Sequence, residues 1–175
     1  MENDKLSPTS LAFIALTNEY CQLVENCAEN SREVLVESLI KLLPRIYITV
    51  VDLEPALEFF DAYISPTLEE TTYDTVRDNL SAIMGEDDVY LEVFLDDMKY
   101  SDTPIATSIS ENLADMYQEF FNVISSLMDL NTEEQRQILG MCKENFVEYW
   151  GQTLCNVQRA LHSLSVTHRD YYDNY

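Results

Sequence analysis

Ile46-Tyr47-Ile48-Thr49-Val50-Val51 is the run of β-branched residues in this chain that reads as a strand. A strand needs a neighbour for its backbone N–H and C=O groups, and the sequence supplies no second candidate. The residues before it point elsewhere. Leu35, Leu39, Leu42 and Ile46 fall on one helical stripe that opens after Ser31, and Pro44 interrupts that stripe. A helix that kinks or restarts at Pro44 and continues through Val51 accounts for both features. The expected fold is therefore all-α, a single-domain bundle of about six helices with short loops.

Helical spacing continues on both sides of this segment. Ser7 as N-cap and Pro8 at the first position open a helix to about Ala28, with Leu11, Ile14, Ala15, Cys21 and Val24 as its apolar line. Pro55 and Pro66 punctuate a connection around a short turn at Ala56–Tyr63. Thr67 and Glu70 have the spacing of a capping box for a third helix, which Gly85 ends. Its inner face is Tyr73, Val76, Leu80 and Ile83. A shorter helix is expected over Asp88–Met98, burying Val89, Val93 and Phe94. Thr103 and Pro104 then start a long helix to about Leu130, with Ile105, Ile109, Leu113, Met116, Phe120, Val123 and Leu127 on one side. Thr132 and Gln135 suggest another capping box, opening a last helix to Leu164. At 1.5 Å per residue that helix would be ~50 Å long, so a bend near Gly151 or a projecting end is expected. The domain is placed at 1–164. Residues 165–175 form a polar, tyrosine-rich tail expected to fray.

The chain has 175 residues, 46% of them hydrophobic, with 32 acidic and 10 basic residues and a net charge of −22. That apolar content suffices for a core. Binding nucleic acid directly requires clustered Lys and Arg, so this charge argues against it, and equally against an anionic membrane surface. It suits a basic protein partner. More than half of the charge lies in residues 52–102, which hold 15 acids against Arg77 and Lys99. No segment has the ~20 apolar residues of a membrane helix, and the N-terminus lacks the basic and apolar regions of a signal peptide. Cys21, Cys27, Cys142 and Cys155 form no CxxC pair and read as reduced, mostly buried thiols. A cytoplasmic location is expected.

Motifs for chemistry are missing. His162 and His168 are the only histidines, and neither follows a Glu by three positions, which removes the di-iron bundle pattern. No zinc spacing, EF-hand loop, Walker loop, GxGxxG or GxSxG occurs. Glu58 and Asp61 stand as an unaccompanied pair of magnesium-type carboxylates. Cys155 and His162 lie two turns apart on one helix, beyond hydrogen-bonding reach. No catalytic residue, metal site or cofactor is expected.

Two polar strips remain. On the last helix Asn145, Glu148, Gln152, Asn156 and Arg159 recur at helical spacing beside the apolar line Ile138, Cys142, Phe146 and Tyr149. On the preceding long helix Ser108, Asn112, Asp115 and Glu119 do the same. Facing antiparallel helices would bring the strips together, as a network that fixes register or as a pocket for a small ligand. Trp150 lies off the centre of its line, where it either packs on another helix or sits in an interface.

Several segments carry a family resemblance. They are Lys99-Tyr100-Ser101-Asp102-Thr103-Pro104, Ser110-Glu111-Asn112-Leu113-Ala114-Asp115-Met116-Tyr117-Gln118, Cys142-Lys143-Glu144-Asn145-Phe146, Tyr149-Trp150-Gly151-Gln152 and Arg159-Ala160-Leu161-His162. Leu42-Leu43-Pro44 and Gly85-Glu86-Asp87-Asp88 add to them. Together they resemble the bacterial Domain of Unknown Function 5063 family, most densely in the C-terminal half. The resemblance implies an acidic helical fold in a cytosolic bacterial setting, and no catalytic residues. The expected function is a non-enzymatic interaction or adaptor domain with an acidic surface. The alternatives are a small-ligand binder or metal-assisted hydrolase using the polar strips, and a nucleic-acid mimic. The sequence leaves the oligomeric state open.

Overall fold

The structure is a computed structural model that describes residues 5–55, 62–92 and 105–172, with side chains to Thr167. Helix α1 spans Pro8–Glu25, α2 Arg32–Val51 and α3 Glu70–Met84. Strands β1 (Val89–Glu92) and β2 (Ile105–Ser108) follow, then α4 (Ile109–Leu127), α5 (Thr132–Asn145) and α6 (Gly151–Tyr172). A π turn over Phe146–Trp150 joins α5 to α6 end to end.

The β-branched run is helical, as its surroundings require, and Ser31 caps α2 by accepting from the Val34 N–H. Pro44 lies inside α2 and leaves the Ile40 carbonyl without its usual donor. The Gln158 side-chain amide of α6 donates to that carbonyl at 3.4 Å. Ser7 caps α1 as expected. Its buried side is Phe13, Leu16, Tyr20 and Val24, whereas Leu11 is 55% exposed. The large rings of Phe13 and Tyr20 bury more area than Leu11 and Ala15 can, and they turn the helix accordingly.

Five other expectations are corrected. Thr67 does not open α3: Glu69 is its N-cap, and the Thr67 and Leu68 N–H groups both donate to Asn122 Oδ1 at 2.9 Å. The helix expected from Asp88 is instead a 3-10 turn, Gly85–Asp88, leading into β1, and Val89 is 64% exposed. Ile105 belongs to β2, and α4 begins at Ile109 with Ser108 as N-cap accepting from Glu111 N–H at 3.1 Å. Val93, Phe94, Met98, Thr103, Pro104 and the turn at 56–61 lie outside the described residues. The capping box of α5 sits one position earlier than expected, on Asn131 and Glu134. The last helix runs past Leu164 to Tyr172.

One continuous core joins all six helices. Helix α1 packs between α2 and α4, α2 also meets α6, and α3 lies along α4. The Tyr20 hydroxyl donates to the Leu113 carbonyl at 2.8 Å, tying α1 to α4 inside the core. Phe120 packs edge-on against Phe13, Tyr20 and Trp150. All four cysteines are free thiols, and only Cys155 is exposed. No helix among the described residues is long and apolar enough to cross a membrane.

Candidate functional site

The apolar line of the last helix runs Ile138, Cys142, Phe146, Trp150 and Leu154, four successive steps of four residues. An α-helix turns 3.6 residues at a time, so such a line drifts around the axis unless one turn widens. The π turn supplies that widening. It buries Trp150 and leaves Tyr149, expected inside, 68% exposed. Gly151 completes the turn. A Cβ there would stand 2.5 Å from the Phe146 carbonyl oxygen and 2.9 Å from its ring.

The same widening redistributes the polar strip. Glu148 is exposed. Asn145 Nδ2 donates to Glu119 Oε2 at 3.3 Å, and here the two strips meet directly. Burial pushes the Glu119 carboxyl above its ordinary range, the Asn145 amide opposes this, and Asp115 adds to it. Beneath it, burial raises the Cys142 thiol well above its usual value, with the nearby Glu119 adding.

Elsewhere the hairpin comes between the strips. β1 and β2 pair antiparallel, with Tyr90 opposite Thr107 and Glu92 opposite Ile105. Alternation turns Tyr90 and Glu92 inward and Val89 and Leu91 outward. Asn112 of α4, 8% exposed, donates to the Tyr90 hydroxyl. Asn156 of α6, 3% exposed, donates to Glu92 Oε1 at 3.3 Å and accepts from Gln152 at 3.2 Å. Arg159 donates to the Leu91 carbonyl at 2.6 Å. Burial, with Glu92 adding, raises the Tyr90 phenol to about 12, against the opposing pull of Asn112 and Arg159.

Asp115 faces the other way. It accepts from the Tyr73 hydroxyl of α3 at 2.6 Å. Around Tyr73 lie the exposed carboxylates of Asp78, Glu111 and Asp115 and the half-buried Asp74, with exposed Glu70 one helical turn before it. Arg77, the cation of this surface among the described residues, is held by Asp74 at 2.8 Å and Asp78 at 2.9 Å.

Sequence reasoning named the helical members of this network and missed Asp88, Tyr90 and Glu92. The available signal was the period-two alternation of Val89-Tyr90-Leu91-Glu92, too short to stand out. No group of three or more His, Cys, Asp or Glu among the described residues is placed to hold a metal ion.

A family profile described as a domain of unknown function, DUF5063, matches residues 4–167. The chain belongs to the DUF5063 family. The match takes in the hairpin, both strips and the π turn. The crystal structure of protein BF1032 from Bacteroides fragilis is similar to this DUF5063 chain, with 30% sequence identity and a TM-score of 0.78 over 90% of this chain and 92% of that one. No curated protein matches the chain.

Proposed function

We propose that this DUF5063 chain is a non-enzymatic interaction domain of the bacterial cytoplasm, and that it meets a basic protein through the α3–α4 face. The observation that carries this reading is the ridge of carboxylates around Tyr73. Five acids project there from two antiparallel helices, and one arginine already holds two of them. Such a surface steers a cationic partner and selects against anionic ones. The strip residues support the reading indirectly. Asn112, Asn156 and Arg159 spend hydrogen bonds on Tyr90, Glu92 and the Leu91 carbonyl, which holds the hairpin against α4 and α6, and Asn145 spends one on Glu119.

The test is capture from native lysate with mass spectrometry, followed by a salt titration of the isolated pair. Binding should weaken steeply with salt, and charge reversal at Asp74, Asp78 and Glu111 should abolish it. Salt-indifferent binding that survives the reversal overturns the reading. A partner that duplex DNA displaces would make the domain a nucleic-acid mimic.

A second reading rests on Glu119, a half-buried carboxyl where the two strips meet. It makes that junction a small-ligand site. Mg²⁺ or Mn²⁺ would raise the melting temperature only if the ligand were a cation on these carboxylates, so a flat response removes the metal-assisted hydrolase.

A further inference from the structure

Helix α2 carries a stripe that the acidic-face reading leaves unused. Arg45, Ile48, Thr49 and Asp52 follow one another at helical spacing along its outer side, and Ile48 is 63% exposed. The last two turns, Ile46 to Val51, hold no charged residue. The Thr49 hydroxyl donates to the Arg45 carbonyl at 2.6 Å, so its polar atom is already satisfied. Arg45 is 60% exposed, and its ion-pair contact in the chain, Glu19, stands at 3.9 Å, the outer limit for such a pair. Around this stripe Tyr47 and Val51 add exposed apolar surface.

We propose that this face of α2 is a two-fold interface between two copies of the chain. The argument is charge complementarity. Two protomers of net charge −22 repel each other least where their surfaces are locally neutral. The stripe is neutral and self-complementary: a base at one end, an acid at the other, and Ile48 between them. An antiparallel two-fold crossing centred on Ile48 sets Arg45 of each copy beside Asp52 of the other, making both pairs in one step. Helix α2 packs on α1 and α6 while α3 lies along α4, so the carboxylate ridge stays outside the interface. Two copies would then present two acidic faces to a partner with repeated basic segments, adding avidity without new contacts. The interface is short, which makes the dimer weak and concentration-dependent.

Sedimentation equilibrium of the full chain from ~1 to ~300 µM measures it. The expected result is a monomer–dimer equilibrium that Ile48→Glu weakens by tenfold or more, about 1.4 kcal/mol. Arg45→Asp and Asp52→Arg each place like charges together and should weaken it comparably. The double variant Arg45→Asp/Asp52→Arg restores the pairs in reversed sense and should recover most of the affinity. Circular dichroism and melting of each variant establish that the protomer is still folded. A wild-type chain that stays monomeric throughout overturns the proposal. So does a dimer indifferent to all three single substitutions, or a face that binds a different protein while the chain remains monomeric.

Discussion

Asp88 stands 22 positions before the backbone it caps. Its carboxylate accepts from the Ser110 N–H at 2.8 Å and the Ser110 hydroxyl at 2.7 Å, at the positive end of α4, and from Ser81 at 3.2 Å. Ser108 holds the next free N–H locally, so two residues share a cap that local reading gave to Thr103. Asp88→Ala should cost about 2 kcal/mol in chemical denaturation, since a buried charge-assisted cap is lost and the Ser110 N–H is left without its acceptor. Gln158 and Pro44 make a second long-range exchange. Gln158→Leu should cost about 1 kcal/mol with Pro44 present. In a Pro44→Ala background the new Ala N–H serves the Ile40 carbonyl, and the cost should fall close to zero. A double-mutant cycle by urea unfolding reads the coupling. Neither partnership has a sequence signal. Pro44 announces that a carbonyl will be orphaned, and only packing brings Gln158 to it.

Among elements, α2 and the lower part of α4 were legible because long stripes such as Leu35–Leu39–Leu42–Ile46 and Leu113–Met116–Phe120–Val123 fit one period without ambiguity. The hairpin was not. Four-residue strands hold too few side chains to separate period two from period 3.6, and Pro104 after Thr103 imitates a helix start. The π turn lay between these cases. Its steps of four were present in the sequence, but Tyr149 offered a competing step of three. Burial decided it, because Trp150 fills the space against Phe120, with ring centroids 5.1 Å apart. Gly151 makes the turn testable. Gly151→Ala should lower stability by about 2 kcal/mol and shift the emission of Trp150, the sole tryptophan, as the Phe146 ring is pushed aside. Unchanged emission with unchanged stability would mean that the turn accommodates a Cβ freely.

For the whole molecule, buried and half-buried tyrosines set the response to alkali. Burial raises the phenols of Tyr20, Tyr73, Tyr90 and Tyr117, and the carboxylates of Asp115 and Glu25 help to hold the protons on Tyr73 and Tyr117. Their folded values lie above the ordinary 10.0, so above that pH the unfolded chain has released protons the native state keeps. This stabilisation is complete below pH 10.0 and is lost as pH rises, through about 12 for Tyr90. Absorbance titration should show a set of tyrosines that ionise only as far-UV ellipticity collapses. Glu119 obeys the same sign at lower pH. Its raised carboxyl favours the folded state below 4.5, and this contribution disappears as pH climbs through the folded value. Glu119→Gln should therefore flatten the dependence of melting temperature on pH across that interval.

The sequence by itself determined the helical class, the family resemblance, the net charge and most of the buried stripes, because each follows from local periodicity or composition. It also placed Asn112, Asp115 and Glu119 together on one helix and Gln152, Asn156 and Arg159 together on another. Tertiary structure decided what those strips do. A short hairpin inserted between two helices turned most of the expected facing pairs into a relay through Tyr90 and Glu92, and a widened turn moved Trp150 inward and Glu148 out. These outcomes depend on which distant groups arrive beside a buried polar atom, and one strand of sequence carries no record of that arrival.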